Sequence, residues 1–232
     1  MSETGAASRR DSFYGRRKGH ALRATQADTL TRVLDTLRVD TAAAAPDDLR
    51  RLFEADVADV ALEIGFGGGE HLLHRAATEP GTGRIGAEPF VNGMAKAAAA
   101  IDAREPGNLR LFDRDAAELL DWLPPASLSV VDLLYPDPWH KRRHWKRRFV
   151  SAANLQRIAR VLQPGGLFRF ASDIPSYVDW TLIAVTADPQ FEWTAEDADD
   201  WRLPFPGWPG TRYEQKAIRE GRRGTYLSFR RL

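Results

Sequence analysis

The string YPDPWHKRRHWKRR over 135–148 sets one carboxylate, Asp137, between two prolines and follows it with Lys141 to Arg148, six cations and no acid. Pro136 and Pro138 stiffen the backbone on both sides of Asp137, so its carboxylate can be held against a reacting group. Cations neutralise phosphates, and the interleaved Trp139, His140, His144 and Trp145 can stack on unpaired bases. The bland alternatives for such a run are a helix surface or a targeting signal. Further acids stand at Glu63 and Glu70, bracketing the turn of EIGFGGGE (63–70), at Glu88, at Asp115 in FDRDAAEL and at Asp173 in FASD. Gly65 and Gly67 let backbone approach a ligand, and the helix that follows offers its first N–H groups; a tight turn without a ligand reads the same way. Glu88 can accept from two ribose hydroxyls. Asp115 suits an exocyclic amine or a helix N-cap, and Asp173 a base or a cap. In Thr211-Arg212-Tyr213-Glu214 a carboxylate can accept from guanine N1–H and the 2-amino group, or the segment is a surface loop. His140 and His144 have i, i+4 spacing. Without a cysteine in the chain and with six cations alongside, no metal is expected there.

These acids need one platform. Short apolar runs alternate with helical patterns, which signals βα units. Strands are expected at 57–66, 84–87, 109–112, 128–134 and 167–171, with two more near 190–194 and 225–230. Helices are expected near 70–77, 91–103, 116–122, 148–162 and 177–187, the fourth stopped by Pro164-Gly165-Gly166. The Ala runs at 42–45 and 97–100 are ordinary helix formers. This predicts a three-layer α/β sandwich, Rossmann-like, with a mainly parallel seven-stranded sheet. Glu63, Glu88 and Asp115 then follow three successive strands and lie at one carboxyl edge, where such sheets bind ligands. A dinucleotide fingerprint is disfavoured, because Glu70 occupies the place of its third glycine.

The 232 residues suit one domain, read as 26–232 behind a basic and mobile arm over 1–25. No apolar run reaches the ~18 residues of a membrane span and the N-terminus lacks an apolar signal core, so a cytoplasmic protein is expected. Net charge is +1, but residues 1–25 carry +4, residues 141–148 carry +6 and residues 211–232 carry +5, which leaves −14 for the rest. Such asymmetry points to a polyanionic partner.

EIGFGGGEHLL, GAEP, DAAELL, YPDPWHKRRHWKRR, the Ser172-Asp173 pair and TRYE ahead of RxxGxxxYxL occur in one order and spacing. The chain thereby resembles the bacterial tRNA (guanine-N7-)-methyltransferase family over about residues 13–232, with Asp-Pro-Trp similar to the Asn/Asp-Pro-Pro-Tyr signature of amino-group methyltransferases. The resemblance implies a class I methyltransferase fold and methyl transfer from S-adenosylmethionine to N7 of a guanine in the tRNA variable loop (nucleotide 46). It implies that Asp137 is catalytic and that Glu63, Gly65, Gly67, Glu88, Asp115 and Asp137 serve the cofactor. Substrate contacts fall on Lys141, Asp173, Thr211, Arg212, Tyr213 and Glu214, and RNA contacts on Arg143, His144, Trp145, Lys146, Arg147 and Arg148. The chain departs from the family pattern at Trp145, where Asn or His is commoner, and at Arg212, where Lys is commoner. The implied partner is tRNA, without a membrane or an obligate protein partner, for a monomer or homodimer. Rival readings are methylation of an exocyclic amine, a non-catalytic RNA-binding protein on the same fold, and a nicotinamide oxidoreductase.

Overall fold

The strands are β1 (Asp59–Ile64), β2 (Thr82–Ala87), β3 (Leu109–Phe112), β4 (Leu128–Leu134), β5 (Leu162–Ser172), β6 (Phe191–Trp193) and β7 (Thr225–Arg231). They form one sheet in the order β3-β2-β1-β4-β5-β7-β6 in a computed structural model that describes residues 14–103 and 106–232. β3, β2, β1, β4 and β5 are parallel, whereas β7 runs antiparallel to both β5 and β6. The sheet is therefore mixed rather than parallel throughout. The reversal follows from β7 entering from the carboxyl edge, where the segment after β6 has carried the chain.

One face carries α1 (Ala24–Leu37), α2 (Glu70–Thr78) and α3 (Val91–Ile101), whose Leu34, Leu37, Leu72, Leu73, Met94 and Ile101 share a core with Leu109 and Leu111. The larger core lies with α4 (Ala116–Trp122), α5 (Ala152–Val161) and α6 (Pro175–Thr186), and includes Leu119, Leu155, Ile158, Phe168, Phe170 and Tyr177. Burying each such side chain stabilises by about 1.5–3 kcal/mol. Parallel strands covered on both faces read as nearly continuous apolar runs, as β4 does.

Four local expectations differ from the structure. The helix expected from Arg148 begins at Ala152, because Ser151 caps it by accepting from Asn154 N at 3.3 Å, and residues Arg142–Arg147 form a 3₁₀ helix. It ends at Val161, and Leu162 already pairs with Leu128, so the Pro-Gly-Gly segment lies within β5 rather than ahead of it. Ala42–45 is not helical; Asp40 Oδ1 accepts from Ala42 N at 2.9 Å in a local turn, and Pro46 follows. The segment opening at Thr211, for which a surface loop is one reading, forms α8 (Arg212–Arg219), with a four-residue α7 (Asp199–Arg202) before it. α8 starts with a capping box: Thr211 Oγ1 accepts from Glu214 N at 3.1 Å and Glu214 Oε2 accepts from Thr211 N at 3.3 Å. That Thr-x-x-Glu signal was present in the sequence.

Of the arm expected over 1–25, residues 1–13 lie outside the described residues. Residues 17–20 run along the start of α3: Val91 N donates to Arg17 O at 3.0 Å, Gly19 N to Asn92 Oδ1 at 2.6 Å and Asn92 Nδ2 to His20 O at 2.8 Å.

Candidate active site

The turn between β1 and α2 uses left-handed backbone at Gly65, Gly67 and Gly69 (φ +73°, +58° and +80°), which L side chains rarely adopt. A Cβ on Gly65 would meet nothing within 4 Å, whereas one on Gly93 of α3 would lie 2.6 Å from the Gly67 carbonyl oxygen. The turn is thus pressed against α3 on one side and open on the other. Glu88, just past β2, closes it from beneath: Oε2 accepts from Gly67 N at 2.7 Å and Oε1 from Phe90 N at 2.8 Å. Burial pushes the Glu88 carboxyl up, these two N–H bonds pull it down, and the nearby charge of Asp137 adds to the rise. Each oxygen keeps a second lone pair for a hydroxyl donor.

Asp115 N-caps α4 by accepting from Ala117 N at 3.0 Å, and burial raises its carboxyl above the ordinary range. Capping occupies one oxygen, so the amine-acceptor reading stays compatible with it. Glu63 is buried and its Oε2 lies 2.7 Å from His71 Nδ1 on α2. In register with it, Asp132 of β4 forms a two-pronged buried ion pair with Arg169 of β5, at 2.7 and 2.9 Å. Burial raises the Asp132 carboxyl, but the charge and hydrogen bonds of Arg169 together with the nearby His71 and Arg84 outweigh it and hold the carboxyl low. Removing one partner of such a pair typically costs about 3–5 kcal/mol.

Asp137 projects from the loop after β4, at the same carboxyl edge. The loop is strained on both sides, with non-glycine Tyr135 and Trp139 in left-handed backbone at φ +50° and +47°. Such residues cost about 1–3 kcal/mol each and collect where geometry is held for a function. Solvent reaches Asp137, yet the surrounding protein desolvates its carboxyl and raises it, with no cation opposing the rise. Lys141, Arg142, Arg143 and Lys146, in the segment that follows, are exposed. Arg147 stacks between Trp139, 5.0 Å from its ring centroid, and Tyr14, at 5.5 Å, while Trp139 and His144 are 5.9 Å apart. Two members of the basic run turn inward. Arg148 is 3% exposed, and Trp145 packs on its guanidinium at 4.4 Å and edge-on to Trp180 at 6.0 Å, so the unusual Trp145 is a packing residue here.

The C-terminal segment joins the site through buried polar contacts. Glu214 is buried, accepting from Trp208 Nε1 at 2.7 Å, from the Tyr226 hydroxyl and from Thr211 N. Trp208 in turn lies 5.0 Å from the His71 ring, which links Glu214 to Glu63 across the sheet edge. The neighbouring Tyr213 is exposed, and its ring edge lies 3.4 Å from where a Gly67 Cβ would stand. Arg212 is exposed beside it. Asp173 caps no helix; its Oδ2 accepts from Arg222 Nε at 2.5 Å, fastening the end of β5 to the chain after α8. Sequence reasoning did not find His71, Trp208 or Asn92, since each acts through contacts between segments distant in the chain. Among the described residues, no group of three His, Asp or Glu side chains is placed to hold a metal ion.

A family profile described as "Putative methyltransferase" matches residues 57–227. The chain is 63% identical over 219 residues to the tRNA (guanine-N(7)-)-methyltransferase of Mesorhizobium japonicum, covering 94% of either chain. Against the protein of the same name from Rhizobium meliloti it is 59% identical over 231 residues, covering all of both. Among solved structures, the 16S rRNA methyltransferase KamB superposes with a TM-score of 0.59 at 19% identity over 82% of this chain and 96% of that one, which is a likeness of fold. With carboxylates gathered at one sheet edge and identity sustained along nearly the whole length, the chain belongs to the tRNA (guanine-N(7)-)-methyltransferase family.

Proposed function

We propose that this protein methylates N7 of a guanine in the variable loop of tRNA, nucleotide 46, with S-adenosylmethionine as the donor. The observation that carries this beyond family membership is the glycine turn with an open face, tied to Glu88 through Gly67 N, at the same carboxyl edge as the strained loop of Asp137. The residues fit the donor: Gly65 and Gly67 leave room for close backbone approach, Glu88 has lone pairs left for ribose hydroxyls, and Asp115 stands ready for the adenine amine.

S-adenosylmethionine supplies an electrophilic methyl carbon, whose bond to sulfur breaks with the electron pair leaving on sulfur as N7 forms the new bond. N7 carries its lone pair in the ring plane, so no side chain has to remove a proton. What the chain contributes is alignment and electrostatics. Asp137, held by its strained loop, stabilises the positive charge that grows on the guanine ring. Tyr213, Arg212 and Thr211 at the start of α8 border the same opening, and Glu214 and Asp173 hold that border through Trp208, Tyr226 and Arg222. Lys141, Arg143, His144, Lys146 and Arg147 face the phosphates. Among the described residues, no helix is long and apolar enough to cross a membrane.

The test is incubation with unmodified tRNA and methyl-labelled S-adenosylmethionine, followed by nucleoside analysis. The label is expected in 7-methylguanosine alone. Label in an N-methylated exocyclic amine would replace this reading with the rival one, and no label transfer would leave a binding protein.

A further inference from the structure

Arg148 closes a run of cations, and by sequence it belongs with those that grip RNA. Its surroundings are those of a different kind of residue. It is 3% exposed, and three of its N–H groups are taken by neutral acceptors: Nε by Pro138 O at 3.0 Å, one terminal nitrogen by Ser176 O at 2.8 Å and the other by Ser176 Oγ at 3.1 Å. Its flat guanidinium is walled by three rings, Trp145, Tyr177 and Trp180, with centroids at 4.4, 4.7 and 5.5 Å. Burial lowers its pKa, although the group stays charged at neutral pH. A phosphate-binding arginine needs donors that face solvent. This one presents its fork to the backbone of the reaction loop and to Ser176 in the helix after β5.

Pro138 follows Asp137 directly, so the bond to its carbonyl holds the backbone one residue from the carboxylate. The same guanidinium reaches the first turn of α6, the helix that follows β5. We infer that Arg148 is a positioning residue: through Pro138 O and Ser176 it braces the strained loop of Asp137 against α6, and it makes no contact with RNA. Trp145 is part of the brace, covering the guanidinium's face. This rests on the reading of Asp137 as the group at the reaction site.

The charge-conserving variant Arg148→Lys separates the two roles. An ammonium keeps the charge for a phosphate but cannot bond Pro138 O and both Ser176 oxygens in one plane. Measured with saturating tRNA and S-adenosylmethionine, kcat is expected to fall about tenfold or more, since small misplacements of a reacting group carry costs of that order. The affinity for S-adenosylmethionine and the salt slope of tRNA binding are expected to stay at the parent values. A kcat within about twofold of the parent, or weakened tRNA binding with kcat intact, overturns the inference. Asp137→Ala is run beside it. If that variant is inactive and Arg148→Lys is not, only the brace fails; if Asp137→Ala keeps its rate, the reading of Asp137 falls and the brace with it. Should Arg148→Lys fail to fold, Ser176→Ala removes one of the three bonds, with kcat expected to fall about threefold at unchanged tRNA affinity; an unchanged kcat overturns the inference.

Discussion

Asp137 draws its chemistry from what surrounds it rather than from its own type. A carboxylate in open water stabilises a distant positive charge poorly, because solvent screens it. Here protein atoms desolvate the group enough to raise its carboxyl above the ordinary aspartate range, and no arginine or lysine neutralises it. A carboxyl whose pKa is raised loses its charge earlier as pH falls. The single-turnover rate should therefore drop on the acid side at a pH above the usual aspartate range, while the charged form acts unimpeded at neutral pH. In Asp137→Asn that acid limb should vanish and the rate at neutral pH should fall about a hundredfold or more, the scale of losing one preorganised electrostatic contact. Binding of S-adenosylmethionine, read by calorimetry, should survive. An acid limb that persists unchanged in the variant would move the titrating group elsewhere, with Glu88 next in line because burial raises it too.

At the scale of elements, α3 does more than cover β2. Its Gly93 lets the helix lie against the Gly67 carbonyl, and its Asn92 holds residues 19 and 20 of the N-terminal segment in two hydrogen bonds. The glycine turn is thus shaped from outside, by a helix that follows a different strand. A methyl group on Gly93 would stand 2.6 Å from a backbone oxygen, which has no rotamer through which to yield. Gly93→Ala is expected to shift Gly67 and weaken S-adenosylmethionine binding at least about tenfold, or about 1.4 kcal/mol. Melting temperature should fall far less than a core cavity would cause. Unchanged affinity in titration calorimetry would show that the turn adapts freely. α8 works in the same way: its capping box fixes where Tyr213 emerges, and Glu214 ties that point to Trp208 and Tyr226.

Over the whole molecule the net charge of +1 is a cancellation. The acids sit at the sheet edge and over the remaining surface. Exposed cations sit at 141–143 and 146 and along the C-terminal segment, where Arg212, Lys216 and Arg219 are exposed. tRNA affinity should accordingly fall steeply with salt, with a log–log slope of about −0.7 to −0.9 for each phosphate engaged. If six phosphates are engaged, raising salt from about 50 mM to about 200 mM costs about a thousandfold. Filter binding across a salt series checks this, and a flat response would contradict the division of charge.

Hydrophobic patterning and glycine, proline and acid placement were enough to reveal the alternation of strands and helices, the carboxyl-edge acids and the basic run, because each is encoded within a few neighbouring residues. β3, α4 and β4 were legible to the residue for that reason. Folding alone decided which way side chains in the run point. Arg147 and Arg148 are chemically identical neighbours, yet one stacks between Tyr14 and Trp139 while the other is buried against Pro138 and Ser176. The reversal of β7, the contact of Trp208 with His71 and the bond from Arg222 to Asp173 likewise depend on partners far along the chain. Local sequence specifies periodicity and turn chemistry; burial and partnership are set by three-dimensional packing, and those two decide whether a charge is offered to a ligand or spent within the protein.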